Sequence, residues 1–456
     1  MTNEMAQGYE AGSETAAPFA ERFAALPAGL IEGEPGWLRE LREGGLTRFQ
    51  ALGLPTPKAE AWKYTNLRPL EKAGFAPGAS GEHTASIDWI PTLVKENPAR
   101  HRMVFVNGRL RPDYSALDAL PAGVTLEPLA TTLAERPDLL EPHLGQIGRA
   151  EEQAMLALNS AFMEDGFVLR IGAGTALQEP IEVVSIGGLS EQPLAYHPRN
   201  LILLDDNSQA TLIEQHVGLG RGSYLANGAT EIRLGQGAIL RHIKLQTEAE
   251  TGFHLNTTHM EVARDATYDA FGLSAGGQLA RNEIAVRLNG TGAHCQLGGA
   301  YMVRGQQHCD NTTVIEHIAP QATSREVFKG VLDDKARAVF QGRIIVHRDA
   351  QQTDGHQLSK ALLLSDGAEI DAKPELEIYA DDVKCSHGAT AGELDNDALF
   401  YLRARGIPEP AARRLLIQAF LAEALEEIKA EEVRAALTEK IEDWLTATDS
   451  LDGGAA

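Results

Sequence analysis

Residues 210–238 read ATLIEQHVGLGRGSYLANGATEIRLGQGA, two short runs of aliphatic and β-branched residues divided by a turn that is rich in glycine. Similar runs, bounded by turn residues and without a helical period, continue from residue 166 to about residue 392. Short runs of this composition at regular spacing are typical of strands in mainly β folds. The sequence therefore predicts a mainly β region over residues 166–392.

Alanine recurs after turn-like residues throughout this region. From the second alanine onward the steps are 28, 28, 27, 29, 14, 14 and 18 residues, which implies a unit of about 14 residues. Such a unit holds one strand and its turns, and stacked units make a β-solenoid, in which each turn buries its inward side chains only against its neighbours. We predict a β-solenoid, with a β-sandwich as the alternative. The recurring alanines are Ala176, Ala210, Ala238, Ala266, Ala293, Ala322, Ala336, Ala350 and Ala368.

Helical patterns flank the β region on both sides. Apolar residues recur at helical spacing from Trp37 until Gly53 supplies a stop. Residues 151–166 predict a second helix, and an apolar stripe that begins after residue 409 predicts one or two amphipathic helices. The predicted domains are a disordered tail at 1–18, a mostly helical N-terminal domain at 19–165, the β core at 166–392 and a helical C-terminal domain at 393–456.

The chain has 456 residues, of which 64 are acidic and 41 basic, so its formal net charge is −23. This charge argues against a nucleic-acid-binding protein, because affinity for phosphate backbones comes from clustered Lys and Arg. No apolar run approaches the ~18 residues that cross a bilayer, and the first residues lack the basic head and apolar middle of a secretion signal. We expect a cytoplasmic protein without membrane contact, whose three cysteines are free thiols.

Motifs for nucleotide binding and zinc-protease chemistry are missing from the sequence. There is no GxxxxGK[ST] loop, so we expect the chain to hold no nucleotide of its own. HExxH and CxxC are missing as well, which leaves zinc-protease hypotheses without their usual anchors. GxSxG occurs once, as GLSAG at residues 272–276, but it lies inside the predicted β region, where no helix follows it as a hydrolase nucleophile turn requires. A carbohydrate-active enzyme on a β-helix is an alternative, although we find no secretion signal for it.

Cys385 and His387 are the strongest candidates for a metal site. A separation of two residues puts both side chains on one face of a strand, with Cα atoms ~6.6 Å apart, so both could reach one ion. Val383 shares their face, so the alternative is that all three face the core and that His387 is bonded to a carbonyl. Two ligands leave a metal half coordinated, so a functional site needs a second chain or a labile cluster.

The other two cysteines each follow a histidine, in the pairs His294–Cys295 and His308–Cys309. Adjacent residues of a strand point to opposite faces, so neither pair can close on one metal without a bulge. We interpret both cysteines as structural.

The run DGHQLSKALLLSDGAEIDAKPELEIYADDVKCSHGATAGELDNDALFYLRARGIP, at residues 354–408, resembles the C-terminal signature of the SufB/SufD family of iron–sulfur cluster assembly scaffolds. GLPTPKAEAWKYTNL at 53–67, LNSAFMEDG at 158–166 and SREVFKGVL at 324–332 also resemble the family, so the likeness spans nearly the whole chain. HGATAG after Cys385, together with FYLRARGI, is similar to the SufD branch rather than to the SufB branch.

The resemblance implies a right-handed parallel β-helix between helical N-terminal and C-terminal regions. It also implies a non-catalytic scaffold that pairs with SufB through the β-helix and carries the SufC ATPase on its C-terminal helices. A transient iron–sulfur cluster would form between the two scaffolds, with Cys385 and His387 as the ligands from this chain. His387 is the stronger candidate, and the alternative for Cys385 is that it tunes or stabilises the interface. A reduced flavin on the complex is a further cofactor that the family suggests.

For the C-terminal helices the resemblance implies an ATPase-docking surface, and the alternative is that the same residues pack the helices onto the last turn. A SufB-like scaffold that works as a homodimer is the alternative for the whole function, and the isolated chain is a candidate homodimer. The residues expected on the docking surface are Phe400, Tyr401, Leu402, Arg403, Arg405 and Ile407.

Overall fold

The computed structural model describes residues 33–77, 90–94, 101–117, 120–148, 153–190 and 192–452. The tail that we predicted at residues 1–18 lies outside these ranges. Within them the chain forms seven α-helices and two eleven-stranded sheets, called here sheet A and sheet B. The helices are α1 (Gly36–Leu52), α2 (Arg68–Lys72), α3 (Leu129–Glu135), α4 (Ala154–Phe162), α5 (Asn396–Ala404), α6 (Glu409–Leu425) and α7 (Glu431–Asp452).

The strands are numbered along the chain. Sheet A contains β1 (Ala76–Pro77), β5 (Val124–Pro128), β6 (Phe167–Ile171), β8 (Leu194–Tyr196), β9 (Arg199–Leu204), β11 (Tyr224–Leu234), β13 (Gly252–Val262), β15 (Leu279–Leu288), β17 (His308–His317), β19 (Arg337–Val346) and β21 (Glu369–Ile378). Sheet B contains β2 (His101–Val106), β3 (Arg109–Leu110), β4 (Ala116–Leu117), β7 (Ile181–Gly187), β10 (Gln209–Gly218), β12 (Ile239–Thr247), β14 (Thr267–Ser274), β16 (His294–Val303), β18 (Thr323–Leu332), β20 (Thr353–Leu363) and β22 (Val383–Gly392).

The two sheets are the two walls of a parallel β-solenoid. From β9 to β22 successive strands alternate between the sheets, and from β11 onward each strand pairs in parallel with the strand two before it, whereas β9 pairs with β6 and β10 with β7. With β6 and β7 these strands make about eight turns. The predicted solenoid is confirmed, and the β-sandwich alternative is wrong because sandwiches are built from antiparallel sheets.

The alanine repeat has a structural origin in the turns. Ala238, Ala266, Ala293 and Ala322 lie directly before β12, β14, β16 and β18 in one register, and each is fully buried. A methyl group fits between stacked turns where a longer side chain would overpack the core. The 14-residue step is the crossing from one sheet to the other, as from Ala322 before β18 to Ala336 before β19. Ala176 is exposed and does not belong to the series.

An apolar core fills the space between the sheets, because alternate side chains of every strand point inward. The outer faces of both sheets are partly covered by helices. Sheet A packs against α1 and α4, and sheet B packs against α6 and α7, each through the apolar stripe that predicted the helix. The core includes Leu169, Ile202, Leu212, Ile232, Leu240, Val262, Leu288, Leu297 and Phe340.

The segment at residues 60–67 is anchored to sheet A by one buried ion pair. Arg281 on β15 is paired with Asp310 on β17, and its guanidinium lies 4.1 Å from the centroid of the Trp62 ring. The Thr65 hydroxyl donates to Asp310, and Arg281 also donates to the carbonyl of Ala61 at 2.9 Å. These contacts give the EAWKYTNL segment a packing role.

The solenoid is open at its C-terminal end. β21 and β22 are the last strands of sheets A and B, and no strand of the described residues pairs with their outer edges. The chain then leaves through residues 393–395 into α5. In the part of the chain that the structure describes, no helix has the length and apolar character to span a membrane.

Candidate metal site at the open edge of the solenoid

Cys385 and His387 lie on β22, the edge strand of sheet B. Cys385 is opposite Gly355 and His387 is opposite Gln357 of β20. Cys385 packs against the inward side chains Ile344 and Val346, so this face of β22 is the inner face of the last turn. The two residues share that face, as strand parity requires.

The two candidate ligands differ in burial. Cys385 is half-buried, and this burial, reinforced by the carboxylate of Asp354, raises the pKa of its thiol. His387 is exposed, and no group among the described residues forms a hydrogen bond with its ring. The carbonyl contact that would give His387 a purely structural role is therefore not found in this part of the chain. Whether the two residues bind metal remains a prediction.

This chain offers only part of a coordination sphere. Among the described residues, no group of three or more His, Cys, Asp or Glu side chains could hold a metal ion. Cys385 and His387 are thus two donors at an open strand edge, and any further protein ligands would come from outside the described residues.

Sequence reasoning missed the polar residues beneath the edge. Gln357 of β20 lies between His387 and Glu326, because the registers pair Glu326 with Gln357 and Gln357 with His387. Two residues earlier on the same three strands, β18, β20 and β22, Gly355 lies between Ser324 and Cys385. The inner face of sheet B therefore presents polar side chains over its last three strands. Only the strand register shows that Glu326, Gln357 and His387 are neighbours, because they are about 30 residues apart in sequence.

Cys295 and Cys309 are buried in the apolar core, where burial raises the pKa of both thiols. Their histidine neighbours point the other way, and His308 forms a hydrogen bond with Thr65 at 2.9 Å. All three cysteines are free thiols.

The residues predicted to dock the ATPase fall into two groups on α5 and the loop after it. Phe400 and Tyr401 are 72% and 57% exposed, whereas Leu402 and Ile407 are half-buried. Arg403 pairs with Glu409 at 3.2 Å, and the Arg405 guanidinium lies 5.0 Å from the centroid of the Tyr401 ring.

Packing of α5 depends mainly on a residue that was not predicted. Leu399 is buried, whereas the rings of its neighbours Phe400 and Tyr401 are exposed to solvent. Leu415 on α6 is a further large apolar side chain that is exposed, at 46%. Helical spacing alone could not separate these sides, since the apolar residues 399–402 are consecutive.

Comparison with known proteins now assigns the chain to a family. The model described as "SUF system FeS cluster assembly, SufBD core domain" matches residues 188–420, and the model described as "SufBD protein N-terminal region" matches residues 14–183. The chain therefore belongs to the SufBD family of iron–sulfur cluster assembly proteins.

Individual relatives point to one branch of the family. The chain is 32% identical to the iron–sulfur cluster assembly protein SufD of Escherichia coli, over 87% of this chain and 90% of the relative. It is 26% identical to SufD of Bacillus subtilis, over 90% and 94%, and 31% identical to a SufBD family protein of Synechocystis, over 85% and 86%. Within the family the chain resembles SufD, which confirms the resemblance drawn from the sequence.

Proposed function

We propose that this chain is the SufD-type, non-catalytic half of a scaffold on which an iron–sulfur cluster is assembled in the cytoplasm. Its partner is a SufB-type subunit that joins the open end of the solenoid. The observation that carries the proposal is the position of Cys385 and His387 on the unpaired edge strand β22. A second chain that pairs with this edge brings its own side chains next to these two donors.

The nascent cluster is the cargo of this site. Iron in such clusters is bound by soft thiolate and imidazole donors, the two types that this chain offers. Because only two donors are available here, the cluster is shared, and it leaves more readily than from a closed four-ligand site. A flavin on the complex stays a prediction from the family.

The second partner in the proposal is a SufC-type ATPase. Phe400, Tyr401 and Leu415 are large apolar side chains that are exposed, and we call them the α5–α6 surface; they lie on helices that follow β22 directly. Aromatic side chains of this kind are enriched at protein interfaces. Only three residues separate β22 from α5, so movement of the helices by a bound ATPase would pull on the strand that carries the ligands.

The test is anaerobic cluster reconstitution on this chain co-expressed with SufB and SufC homologues. We expect His387→Ala to abolish or destabilise the visible chromophore and Cys385→Ala to weaken it, while the complexes stay assembled. His356→Ala is the matched control, because His356 lies one strand away on the outer face, where it contacts Asp354 at 2.7 Å and Ser386 at 2.6 Å.

Two results would overturn parts of the proposal. Failure of the three chains to associate would remove the scaffold function. A wild-type chromophore in both His387→Ala and Cys385→Ala would remove the ligand role and leave this chain as a docking subunit. A stable cluster on the isolated wild-type chain would instead favour the homodimeric, SufB-like alternative.

A further inference from the structure

Glu326 is a buried carboxyl group without a partner, in the interior of the turn below β20 and β22. Its residue is 1% exposed, and neither carboxylate oxygen accepts a hydrogen bond from the described residues. The hydroxyl of Thr313 faces Glu326 from β17 and acts to lower the pKa that burial raises, although the two groups do not meet hydrogen-bond geometry. Burying a polar group without a hydrogen-bond partner destabilises the folded state, so the presence of Glu326 here calls for an explanation.

The other carboxylates of the solenoid interior are paired. Glu214 is hydrogen-bonded to His242 at 3.1 Å and to His216 at 3.3 Å. Although burial acts to raise the pKa of Glu214, these hydrogen bonds hold it well below the usual range. Glu248 lies 3.0 Å from the ring of His254. The unpaired state of Glu326 is therefore not a general property of this interior.

Gln357 lies between Glu326 and the edge strand. The registers stack Glu326, Gln357 and His387 on neighbouring strands, which places Glu326 about 10 Å from the edge strand at ~4.8 Å per strand. The Gln357 amide donates to the carbonyl of Glu375 at 3.0 Å, and its oxygen, which lacks a partner in the described residues, lies over Gly342. A Cβ atom at residue 342 would clash with that oxygen, so glycine leaves the space that Gln357 fills.

Cluster assembly produces protons that must leave the site. When hydrosulfide becomes a bridging sulfide, two iron–sulfur bonds form and the S–H bond breaks with its electron pair staying on sulfur. One proton is released for each sulfide, and no electron is transferred in this step. A neighbouring base that is ionised before the step and neutral after it would accept this proton.

We propose that Glu326 is the buried proton acceptor of the edge site, and that the proton of hydrosulfide reaches its carboxylate past Gln357. This inference rests on the proposed function and extends the site from the edge strand into the solenoid. When the proton arrives, the Glu326 carboxylate becomes a neutral carboxylic acid. The site thus loses one buried negative charge as negatively charged sulfide is incorporated at the edge strand. Glu326 lies one strand below Gln357 and does not touch the cluster.

The electrostatic surroundings support this role. Burial raises the pKa of Glu326 to about 7, the range in which a carboxyl group can both hold and release a proton near neutral pH. The titratable groups in the adjoining interior are Cys295 on β16, Cys309 and His317 on β17, Tyr301 on β16, and Cys385 and His387 on β22. Burial raises the pKa of Cys295, Cys309 and Tyr301 and lowers that of His317 to about 4, so these four are neutral near pH 7.

The first test measures the protonation of Glu326 in the isolated full-length chain. Infrared difference spectra across pH 5–9 should show the carbonyl band of a protonated carboxylic acid that titrates near pH 7. We expect the band to be lost in Glu326→Gln and kept in Glu316→Gln. Glu316 is a matched control because it lies on β17 with an outward side chain that contacts His347 at 3.2 Å. No titrating band in the wild type would overturn the inference.

The second test measures the rate of chromophore formation on the co-expressed complex between pH 6 and 8.5, with ferrous iron and sulfide as substrates. We expect the wild type and Glu316→Gln to show an inflection near pH 7, and Glu326→Gln to lose it with a rate about 10-fold lower at pH 8. An unchanged profile in Glu326→Gln would overturn the inference alone. A wild-type complex that forms no chromophore would overturn the proposed function, and the inference with it.

Discussion

Asp310 and Glu326 are buried carboxyl groups on consecutive strands, and their surroundings differ in charge. Asp310 is paired with Arg281 and accepts hydrogen bonds from Thr65 and Thr312, so its charge is compensated. Glu326 has no such partner among the described residues. The ion pair of Asp310 anchors the segment at residues 60–67 to sheet A. The lack of a charged partner lets Glu326 change its protonation near neutral pH.

The pH dependence of stability follows from the raised pKa of Glu326. Its carboxyl group binds a proton more tightly in the folded state, with a pKa of about 7 against an ordinary value of 4.5. The stability it contributes is therefore fully present below about pH 4.5 and lost as the pH rises through 7. In urea unfolding, we expect the wild type to lose up to about 3 kcal/mol more than Glu326→Gln between pH 5 and pH 8.

Glu316→Gln should follow the wild type in the same titration, because its side chain faces outward. Parallel stability curves for the wild type and Glu326→Gln would mean that the carboxyl group is already neutral, or solvated, across this range.

At the scale of elements, α5 divides its apolar residues between packing and exposure. Leu399 is buried, whereas Phe400 and Tyr401, like Leu415 of α6, are exposed. The cap of α5 is provided by Asp395, whose carboxylate accepts from the amides of Asp397 and Ala398. The helix is thus capped at its start and packed through Leu399, and its two aromatic side chains are exposed.

The α5–α6 surface predicts a separation of binding from stability. We expect Phe400→Ala with Tyr401→Ala to weaken binding of a SufC homologue by about 2 kcal/mol or more, roughly 30-fold in Kd, because buried aromatic anchors dominate interfaces. The unfolding free energy should change by less than about 0.5 kcal/mol, since both side chains are exposed. Isothermal titration calorimetry and urea unfolding measure the two quantities.

Leu139→Ala is the control for this pair, because Leu139 is 50% exposed and belongs to the N-terminal part of the chain. Equal loss of ATPase binding in this control would show a non-specific effect. Full binding by the double variant would place the docking surface elsewhere.

For the whole molecule, the solenoid makes one end different from the rest. Each turn is stabilised by its two neighbours, and the last turn, formed by β21 and β22, has only one within the described residues. The candidate ligands lie in this turn, and the C-terminal helices connect to it directly. The turn with only one neighbour therefore carries the edge proposed to bind a SufB-type subunit, and it continues into the helices proposed to bind an ATPase.

Hydrogen exchange can locate the partner on the whole molecule. We expect amides of β21 and β22 to exchange at least about 10-fold more slowly when a SufB homologue is bound, because their outer edges then gain hydrogen bonds. Amides of β11 and β13, inside the stack, serve as the internal control and should not change. Protection confined to other strands would contradict pairing through the open end.

Local patterns in the sequence were sufficient to predict the solenoid and the shared face of the two candidate ligands. The alanine spacing works because every turn repeats one steric requirement, a small buried residue between stacked strands. The prediction that Cys385 and His387 share one face succeeds because alternate residues of a strand point to the same side, whatever the strand packs against.

The tertiary structure was required for everything that depends on register between turns. Glu326, Gln357 and His387 are 31 and 30 residues apart, and connections of unequal length between strands decide whether such residues stack. Neither the open edge beside β22 nor the different burial of Leu399 and Phe400 has a local signature. Pairing and burial are contacts between distant segments, so they exist only once the chain has folded.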